Sequence, residues 1–226
     1  MIQVTTTSQT SLAAGIKGLI YGPPGVGKTC LAATAPAPII LSAESGLLSL
    51  RWANLPVIVI KSLEDLQQAR QWCQQSHEAS NFYTIYLDSL SEIAEAVVLD
   101  GKSRHRDPRK AYGEVLDKMM SEVKAFKNIY GKAVIMTAKM EPFKDGMSGA
   151  IKYGPSMPGT KLGPLLPYEF DEVFVMGIGQ DPATKNNFRF LQTQPDLQYT
   201  AKDRSGALEP YETPDLTHVF NKILGV

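Results

Sequence analysis

The chain has 226 residues with 23 basic and 23 acidic side chains, so its formal net charge is zero. The net charge therefore gives no reason to expect a polyanion as partner. Its two cysteines, Cys30 and Cys73, are too few for a disulfide framework and lack metal-ligand spacing. There is no 18-residue apolar run, and residues 1–11 lack the parts of a signal peptide, so we expect a cytoplasmic protein without a membrane partner. The start of the chain, rich in Thr, Ser and Gln, predicts a flexible arm over residues 1–14, and the length predicts one domain over residues 15–226.

The first strong signal is a glycine-rich loop that follows the apolar run at residues 16–21. Its sequence matches G-x-x-x-x-G-K-[ST], the loop whose backbone N–H groups cradle the phosphates of a nucleotide. Lys28 is placed to reach the β- and γ-phosphates and Thr29 to bind Mg²⁺, at the start of the next helix. A turn that only joined a strand to a helix would explain the glycines but not Lys28 and Thr29 in register. We therefore expect the cofactors ATP and Mg²⁺, with nucleotide contacts from Gly22, Pro23, Pro24, Gly25, Val26, Gly27, Lys28, Thr29 and Cys30.

Short apolar strands then alternate with helices. Pro36 and Pro38 should end a short helix over residues 30–34, because proline has no N–H to donate. Ser62 is placed to cap a later helix. Predicted strands cover residues 39–41, 57–60, 82–87 and 133–138, and predicted helices cover residues 63–75, 89–99 and 111–130. This alternation predicts an α/β fold with a mostly parallel sheet flanked by helices.

The pattern changes after Met140. Residues 141–167 hold five glycines and five prolines, which predicts a long irregular loop, and loops of that length are usually functional or disordered. Strands joined by hairpin turns are expected at residues 172–176, 188–193 and 197–200, with a final helix at residues 215–224. Residues 171–226 therefore predict a C-terminal antiparallel β extension of the same domain.

Nucleotide hydrolysis also needs a fixed metal ion, and Asp88 is the candidate to hold it. Residues 83–88 read Tyr-Thr-Ile-Tyr-Leu-Asp, an apolar strand that ends in a carboxylate. In phosphate-loop enzymes such an aspartate holds Mg²⁺ beside the loop hydroxyl, here that of Thr29. Asp88 followed by Ser89 would also suit an ordinary helix cap. The upstream phosphate loop favours the metal role.

The carboxylate that activates water is not at position 89, directly after Asp88. The following residue is Ser89, whereas the AAA+ class commonly has a glutamate there. Glu44 is the candidate, since it comes just past the predicted strand 39–41, at the strand end where ligands bind in such sheets. A surface acid in the first turn of a helix is the alternative for Glu44. A phosphate loop, a strand ending in a glutamate and a strand ending in Asp-Ser resemble the layout of RecA-like ATPases.

A second resemblance lies near the C-terminus, where residues 201–206 read Ala-Lys-Asp-Arg-Ser-Gly. The pattern is similar to the Lys-x-Arg-x-Gly element of DnaB-type replicative helicases, which reaches the γ-phosphate bound by a neighbouring subunit. This resemblance implies that Lys202 and Arg204 are trans-acting catalytic fingers in a head-to-tail ring or filament. Such cations stabilise the charge on a transferred phosphoryl group. A charged hairpin turn is the alternative interpretation.

Over residues 15–210 the chain resembles phage-encoded RecA-like nucleotide-binding proteins associated with single-strand annealing and recombination. The resemblance rests on the phosphate loop, on Ser-Ala-Glu-Ser-Gly at residues 42–46 and on Lys-Asp-Arg near the end. It implies single-stranded DNA as a partner, with a single-strand-binding protein as a further candidate. The chain departs from RecA at residues 137–139, Thr-Ala-Lys, where a glutamine sensor is expected. Thr137 or Lys139 is left to take that role.

Two basic segments are candidates for contacting single-stranded DNA. The first has five basic residues against one acid, and the second combines lysines with Phe143 and Tyr153. Cations neutralise phosphates while aromatic rings stack on bases, a combination suited to single strands. A solvated connection between helices is the alternative for the first segment. The candidates are Lys102, Arg104, Arg106, Arg109 and Lys110 in the first segment and Lys144 and Lys152 in the second.

The sequence therefore predicts a Mg²⁺-dependent ATPase with a RecA-like core that assembles as an oligomer and acts on single-stranded DNA in phage recombination or replication. Two alternatives stay open. A monomeric phosphate-loop kinase would use residues 104–109 as an arginine-rich lid and would need no neighbour. An ATP-driven switch or motor would act on a protein partner instead of DNA.

Overall fold

A computed structural model of the chain describes residues 4–44, 46–104, 107–146 and 149–226. Its α-helices are α1 (Thr7–Ala14), α2 (Lys28–Leu31), α3 (Leu63–Gln75), α4 (Leu90–Arg104), α5 (Pro108–Lys127), α6 (Leu162–Glu169) and α7 (Leu216–Leu224). Short 3₁₀ helices cover Ala32–Thr34, Leu47–Leu50 and Glu78–Asn81. The strands are β1 (Lys17–Tyr21), β2 (Pro38–Ser42), β3 (Val57–Val59), β4 (Thr84–Asp88), β5 (Ala133–Lys144), β6 (Ile151–Ser156), β7 (Glu172–Gln180), β8 (Asn187–Gln192), β9 (Lys202–Asp203) and β10 (Tyr211–Glu212).

Within the described residues the strands form one sheet in the order β10-β8-β7-β1-β5-β4-β2-β3, with β6 added to β5 and β9 added to β7. All neighbours from β7 to β3 run parallel. Strands β6, β8, β9 and β10 pair antiparallel. The predicted α/β fold, with a mostly parallel sheet and antiparallel C-terminal strands, is confirmed.

Helices cover both faces of the sheet, as buried parallel strands require. On one face, α3, α4, α5 and α6 pack against strand residues that include Leu19, Leu41 and Leu87. On the other face, α2 and α7 pack against strand residues that include Ile20 and Ile40. Leu19 and Ile20 lie on opposite faces because successive strand side chains alternate. Strand β1 is buried throughout, so the loop that follows it emerges from the centre of the core.

The N-terminal segment and α3 show how local side chains start a helix. The predicted flexible arm contains α1, where the Thr6 hydroxyl accepts from the Gln9 N–H while the Gln9 side chain accepts from the Thr6 N–H. This reciprocal capping box stabilises the first turn, so part of the arm predicted to be flexible is helical. Helix α3 (Leu63–Gln75) is confirmed with its predicted bounds and its Ser62 cap. None of the helices in the described parts of the chain is long and apolar enough to cross a bilayer.

The predicted irregular loop over residues 141–167 is wrong. Strand β5 continues past the parallel sheet and pairs with β6, from Lys139 opposite Ser156 to Lys144 opposite Ile151. We call these two strand segments, residues 139–144 and 151–156, the ribbon. Its prolines are tolerated because a two-stranded ribbon has free edges where no N–H is required. Helix α6 then follows within the same predicted loop.

The predicted strand at residues 197–200 is also wrong. Within the described residues, Tyr199 forms an isolated bridge with Tyr153 instead of a strand ladder. The Asp196 carboxylate accepts from the N–H groups of Gln198 and Tyr199 at 2.7 and 2.6 Å. An aspartate that binds its own following backbone in this way makes a turn in place of a strand.

Helices α4 and α5 extend further into the basic segment than the sequence predicted. Helix α4 runs to Arg104, and α5 begins at Pro108 with Asp107 as its cap. Proline is favoured at the first helical position, because the N–H it lacks has no partner there. The basic segment therefore lies mostly on helix ends.

Candidate functional site

The phosphate loop joins β1 to α2 at the carboxyl edge of the sheet, where the parallel strands end. Gly25 and Gly27 have φ angles of 73° and 109°, a region that favours glycine. This backbone lets successive N–H groups converge on an anion. Lys28 Nζ donates to the carbonyls of Gly22 at 2.8 Å and Pro23 at 3.0 Å, so its ammonium group is held at the loop.

Thr29 and Asp88 meet at the same edge. The Thr29 hydroxyl donates to Asp88 Oδ2 at 2.6 Å, and the Thr137 hydroxyl donates to Asp88 Oδ1 at 2.5 Å. These contacts orient both oxygens of the carboxylate. Mg²⁺ is bound in nucleotide sites by one or two carboxylates together with hydroxyl, water and phosphate oxygens. The donor set of Thr29 and Asp88 fits that ion.

Glu44 lies just beyond the end of β2. Its Oε1 accepts from the Ser89 hydroxyl at 3.1 Å. The peptide bond between Asp88 and Ser89 is cis. Burial raises the pKa of Glu44, and the negative charge of Asp88 raises it further. A carboxylate with a raised pKa accepts a proton from water more readily than an ordinary surface glutamate.

These groups line one cleft. Lys28, Thr29, Glu44 and Asp88 surround a volume of about 520 Å³, within the size range of ligand sites. Burial lowers the pKa of Lys28, although the carboxylates of Asp88 and Glu44 oppose this shift. A larger groove of about 810 Å³ lies at the other edge of the sheet, between α1 and the end of α7. It contains no residue of the phosphate loop, so the smaller cleft is the candidate site.

Lys139 connects the cleft to the ribbon. Its Nζ forms ion pairs with Glu92 at 2.6 Å and Glu95 at 2.8 Å on α4. Hydrogen bonds to these two carboxylates raise the pKa of Lys139. Of the two residues left as sensor candidates, Thr137 contacts Asp88 and Lys139 contacts α4. Lys139 is also the first residue of the ribbon, so the two features are directly linked.

Arg189 contacts the phosphate loop although no sequence motif marks it. Its Nε donates to the Val26 carbonyl in the phosphate loop at 2.7 Å, across 163 positions of sequence. The pairing of β1 with β7, and of β7 with β8, brings the arginine there. No motif marks an arginine at this spacing, and the predicted strand at residues 188–193 was the one signal that could have placed it.

Lys202 and Arg204 lie at the amino edge of the sheet, where the parallel strands begin. Strand β9 places Lys202 opposite Val173, near the start of β7. Lys202 Nζ donates to the Pro167 carbonyl at 2.8 Å, and Arg204 Nη1 pairs with Asp171 at 2.6 Å. The Arg204 side chain is 63% exposed. Because the phosphate loop of the same chain lies at the carboxyl edge, a role for these cations at a phosphate requires a second chain.

The first basic segment occupies the adjoining ends of α4 and α5. Lys102 Nζ lies 5.3 Å from the centre of the Tyr112 ring. Arg109 and Lys110 are exposed in the first turn of α5. The side chain of Arg104 and the whole of Arg106 lie outside the described residues.

The second basic segment lies on the ribbon. Lys144 is exposed, and Lys152 pairs with Asp145 at 3.1 Å. A Cβ at Gly159 would lie 3.6 Å from the Tyr112 ring, so the chain that leaves the ribbon passes beside the first turns of α5. This contact places the base of the ribbon near α5, whereas Lys144 and Lys152 lie toward the far end of the ribbon, where Lys144 is opposite Ile151.

Comparison with known proteins identifies a family for the chain. The family model described as AAA domain (AAA_24) matches residues 14–205, which include the phosphate loop, both carboxylates and the Lys-Asp-Arg element. No curated protein matches the chain. Among solved structures, the chain is similar to a KaiC-like protein from the hyperthermophilic archaeon Pyrococcus horikoshii OT3, with 15% identity, a TM-score of 0.48 and coverage of 84% of this chain and 83% of that chain. The chain belongs to the AAA domain family of phosphate-loop proteins.

Proposed function

We propose that the chain is a Mg²⁺-dependent ATPase. One observation carries this proposal: Lys28 and Thr29 of the phosphate loop, Glu44 and Asp88, which come from three separate motifs, line a single cleft. The phosphate loop and Lys28 would hold the β- and γ-phosphates, and Thr29 with Asp88 would hold the metal ion. Mg²⁺ bound there supplies positive charge that stabilises the transferring phosphoryl group.

Glu44 is the residue that activates water in this proposal. The Ser89 hydroxyl holds one oxygen of its carboxylate, and the other oxygen would accept from a water molecule in the cleft. The water oxygen attacks the γ-phosphorus while its proton passes to Glu44, and the bond to the β-phosphate oxygen breaks to leave ADP. The raised pKa of Glu44 favours this proton transfer.

The partner that we propose is single-stranded DNA, in phage recombination or replication of the annealing or strand-exchange type. Exposed cations in both basic segments, among them Arg109, Lys110 and Lys144, support this partner, because such cations can neutralise the phosphates of a single strand. The ribbon begins at Lys139, which lines the nucleotide cleft. Nucleotide state and DNA contact would therefore be linked through one strand.

We also propose a head-to-tail assembly. A heterologous contact joins two different surfaces of the same chain. The phosphate loop and the Lys202–Arg204 element fit this requirement, since they occupy opposite edges of the sheet. The exposed guanidinium of Arg204 would reach the γ-phosphate bound by the neighbour.

ATP turnover by the full chain, measured as phosphate release with and without single-stranded DNA, tests this function. We expect release in Mg²⁺ that single strands stimulate and that rises more than proportionally with protein concentration. Turnover that single-stranded DNA does not change would contradict the DNA proposal. Turnover that stays proportional to protein concentration would contradict the assembly proposal. Transfer of the phosphoryl group to a small acceptor instead of water would favour the kinase alternative.

The DNA surface is tested by removing its charges. The triple variant replaces Lys102, Arg109 and Lys110 by glutamine, and the matched control replaces the exposed cations Arg51, Lys61 and Lys124. For every DNA phosphate that the variant no longer neutralises, the salt dependence of single-strand affinity should flatten by about 0.7 in the log–log slope. An unchanged slope in the first variant, or an equal change in the control, would contradict the proposed surface.

A further inference from the structure

The phosphate loop has two different sides. Strand β1 lies between β5 and β7 in the sheet. Asp88 ends β4 and Glu44 follows β2, so both carboxylates lie on the β5 side of the loop. A nucleoside triphosphate is a linear molecule with the γ-phosphate at one end. When that end faces Asp88 and Glu44, the nucleoside end lies on the β7 side.

On the β7 side, the hairpin of β7 and β8 projects beyond the sheet. Strand β1 ends at Tyr21, opposite Val175, whereas β7 continues to Gln180. Ile178 lies directly opposite Arg189 in this projecting part. Side chains of directly opposed residues share one face of the hairpin, so these two lie next to each other.

That face of the hairpin is the one turned toward the phosphate loop. Met176 and Leu191, the preceding opposed pair on the same face, are buried in a cluster that includes Val26 of the loop. Ile178 continues this apolar face outward but is 53% exposed. Ile178 and Arg189 therefore form a surface beside the phosphate loop that is both apolar and cationic.

Arg189 lies on the outside of the phosphate cradle. Its Nε donates to the Val26 carbonyl at 2.7 Å, and a Cβ at Gly27 would lie 3.3 Å from the same nitrogen. In a loop whose N–H groups converge on a phosphate, the carbonyls face away from it. The guanidinium group is therefore held beside the loop, where the nucleoside would lie, and not among the phosphates.

We propose that Arg189 and Ile178 form the platform for the base of the bound nucleotide, an inference that rests on the proposed nucleotide site. The planar guanidinium stacks on the face of the purine, and Ile178 adds apolar contact area. Such a contact recognises the flat π surface of the base and not its hydrogen-bonding edge. It therefore supports ATP and GTP equally.

Binding of ATP and of inorganic tripolyphosphate to the full chain separates this role from a phosphate contact. Tripolyphosphate has the same phosphate chain but no nucleoside. We expect Arg189→Ala to weaken ATP binding about 2- to 30-fold in titration calorimetry, the range of a cation–π contact, and to leave tripolyphosphate binding unchanged. The control Lys185→Asn removes a cation from the turn of the same hairpin and should change neither affinity.

Two further variants keep the test independent of folding. Arg189→Lys retains a cationic donor for the Val26 carbonyl but loses the planar group, and should weaken ATP nearly as much as Arg189→Ala. Ile178→Ala should weaken ATP alone. Equal losses for ATP and tripolyphosphate, or an unchanged ATP affinity in all three variants, would overturn the platform. A wild-type chain that binds neither ligand would overturn the nucleotide site as well.

Discussion

Two pairs of ionisable residues, one at each edge of the parallel sheet, differ in their exposure. At the carboxyl edge, Lys28 and Glu44 are partly exposed and line an open cleft. At the amino edge, Lys17 and Glu172 are 3% and 2% exposed. Lys17 Nζ donates to two backbone carbonyls at 2.9 and 2.7 Å, and burial lowers its pKa to about 8. A buried group that the backbone satisfies, such as Lys17, stabilises the fold, whereas groups in a cleft are available to a ligand.

The amino edge also carries Lys202 and Arg204, which the assembly proposal places in the active site of a neighbour. Arg204 is exposed, unlike Lys17 and Glu172. The comparison therefore predicts that substitutions at the amino edge divide into two classes. Buried groups should affect stability, and Arg204 should affect turnover.

The largest expected effect comes from Lys202→Ala combined with Arg204→Ala. Removing trans-acting cations should lower ATP turnover by a factor on the order of 10³–10⁵. Mixing this protein with Lys28→Ala should restore part of the turnover, because some interfaces then pair an intact loop with intact fingers. The restored rate should rise with protein concentration as assembly does. If mixtures that demonstrably co-assemble show no rescue, the active site lies within one chain and the trans-acting role is wrong.

The next effect contrasts two lysines at opposite edges. Lys28→Ala should lower turnover by a factor on the order of 10²–10³ through the loss of one preorganised charge, with little change in Tm. Lys17→Ala should leave the carbonyls of Ile129 and Lys132 without their donor and cost roughly 1–3 kcal/mol of stability for each unsatisfied group. Phosphate release and thermal unfolding, measured on both variants, check the contrast. Near-normal turnover in Lys28→Ala would contradict the nucleotide assignment.

A smaller effect separates the two carboxylates at the carboxyl edge. Glu44→Gln should bind Mg-ATP normally but hydrolyse it about 10²-fold more slowly, because the amide cannot accept the proton from water. Asp88→Asn should instead raise the Mg²⁺ concentration needed for turnover. Glu64→Gln, an exposed glutamate on α3, serves as the control and should change neither property. If Glu44→Gln hydrolyses ATP at the normal rate, another acidic residue activates the water.

The smallest effect concerns pH at the amino edge. Burial, together with the negative charge of Asp203, raises the pKa of Glu172 from 4.5 to about 8. The folded state holds this proton more tightly than the unfolded state, so the stabilisation is complete below the unfolded pKa and is lost as pH rises toward 8. Glu172→Gln keeps the neutral form at every pH. Its Tm should therefore fall less between pH 5 and about 8 than that of the wild type, and parallel curves would contradict this account.

Local signals accounted for the parallel part of the fold. Helix α3 has the predicted bounds because its apolar spacing and its Ser62 cap are both local. The ribbon was missed because glycine and proline are typical of loops, yet they suit a two-stranded ribbon. A Cβ at Gly154 would lie 3.0 Å from the Phe143 ring, so that glycine makes room for the partner strand. Such a contact exists only once the strands pair.

The same distinction applies to the candidate site. Lys28 and Thr29 belong to one continuous motif, and Asp88 and Glu44 each lie at the end of an apolar strand. Because the carboxyl ends of parallel strands meet at one edge of the sheet, the sequence predicts that these residues lie close together. Arg189 reaches the loop through the β7–β8 hairpin, and no local pattern marks its partner. Motifs therefore predict the side of the cleft that holds Lys28, Asp88 and Glu44, whereas tertiary pairing determines the β7 side.

The measurement that tests the central claim most directly is a single turnover of ATP by the full chain in excess, with single-stranded DNA present. The account predicts that the wild type converts bound ATP to ADP and phosphate in Mg²⁺ but not in EDTA, and that Glu44→Gln binds Mg-ATP without converting it. ATP that stays intact on the wild type in Mg²⁺, or equal conversion by Glu44→Gln, would contradict it.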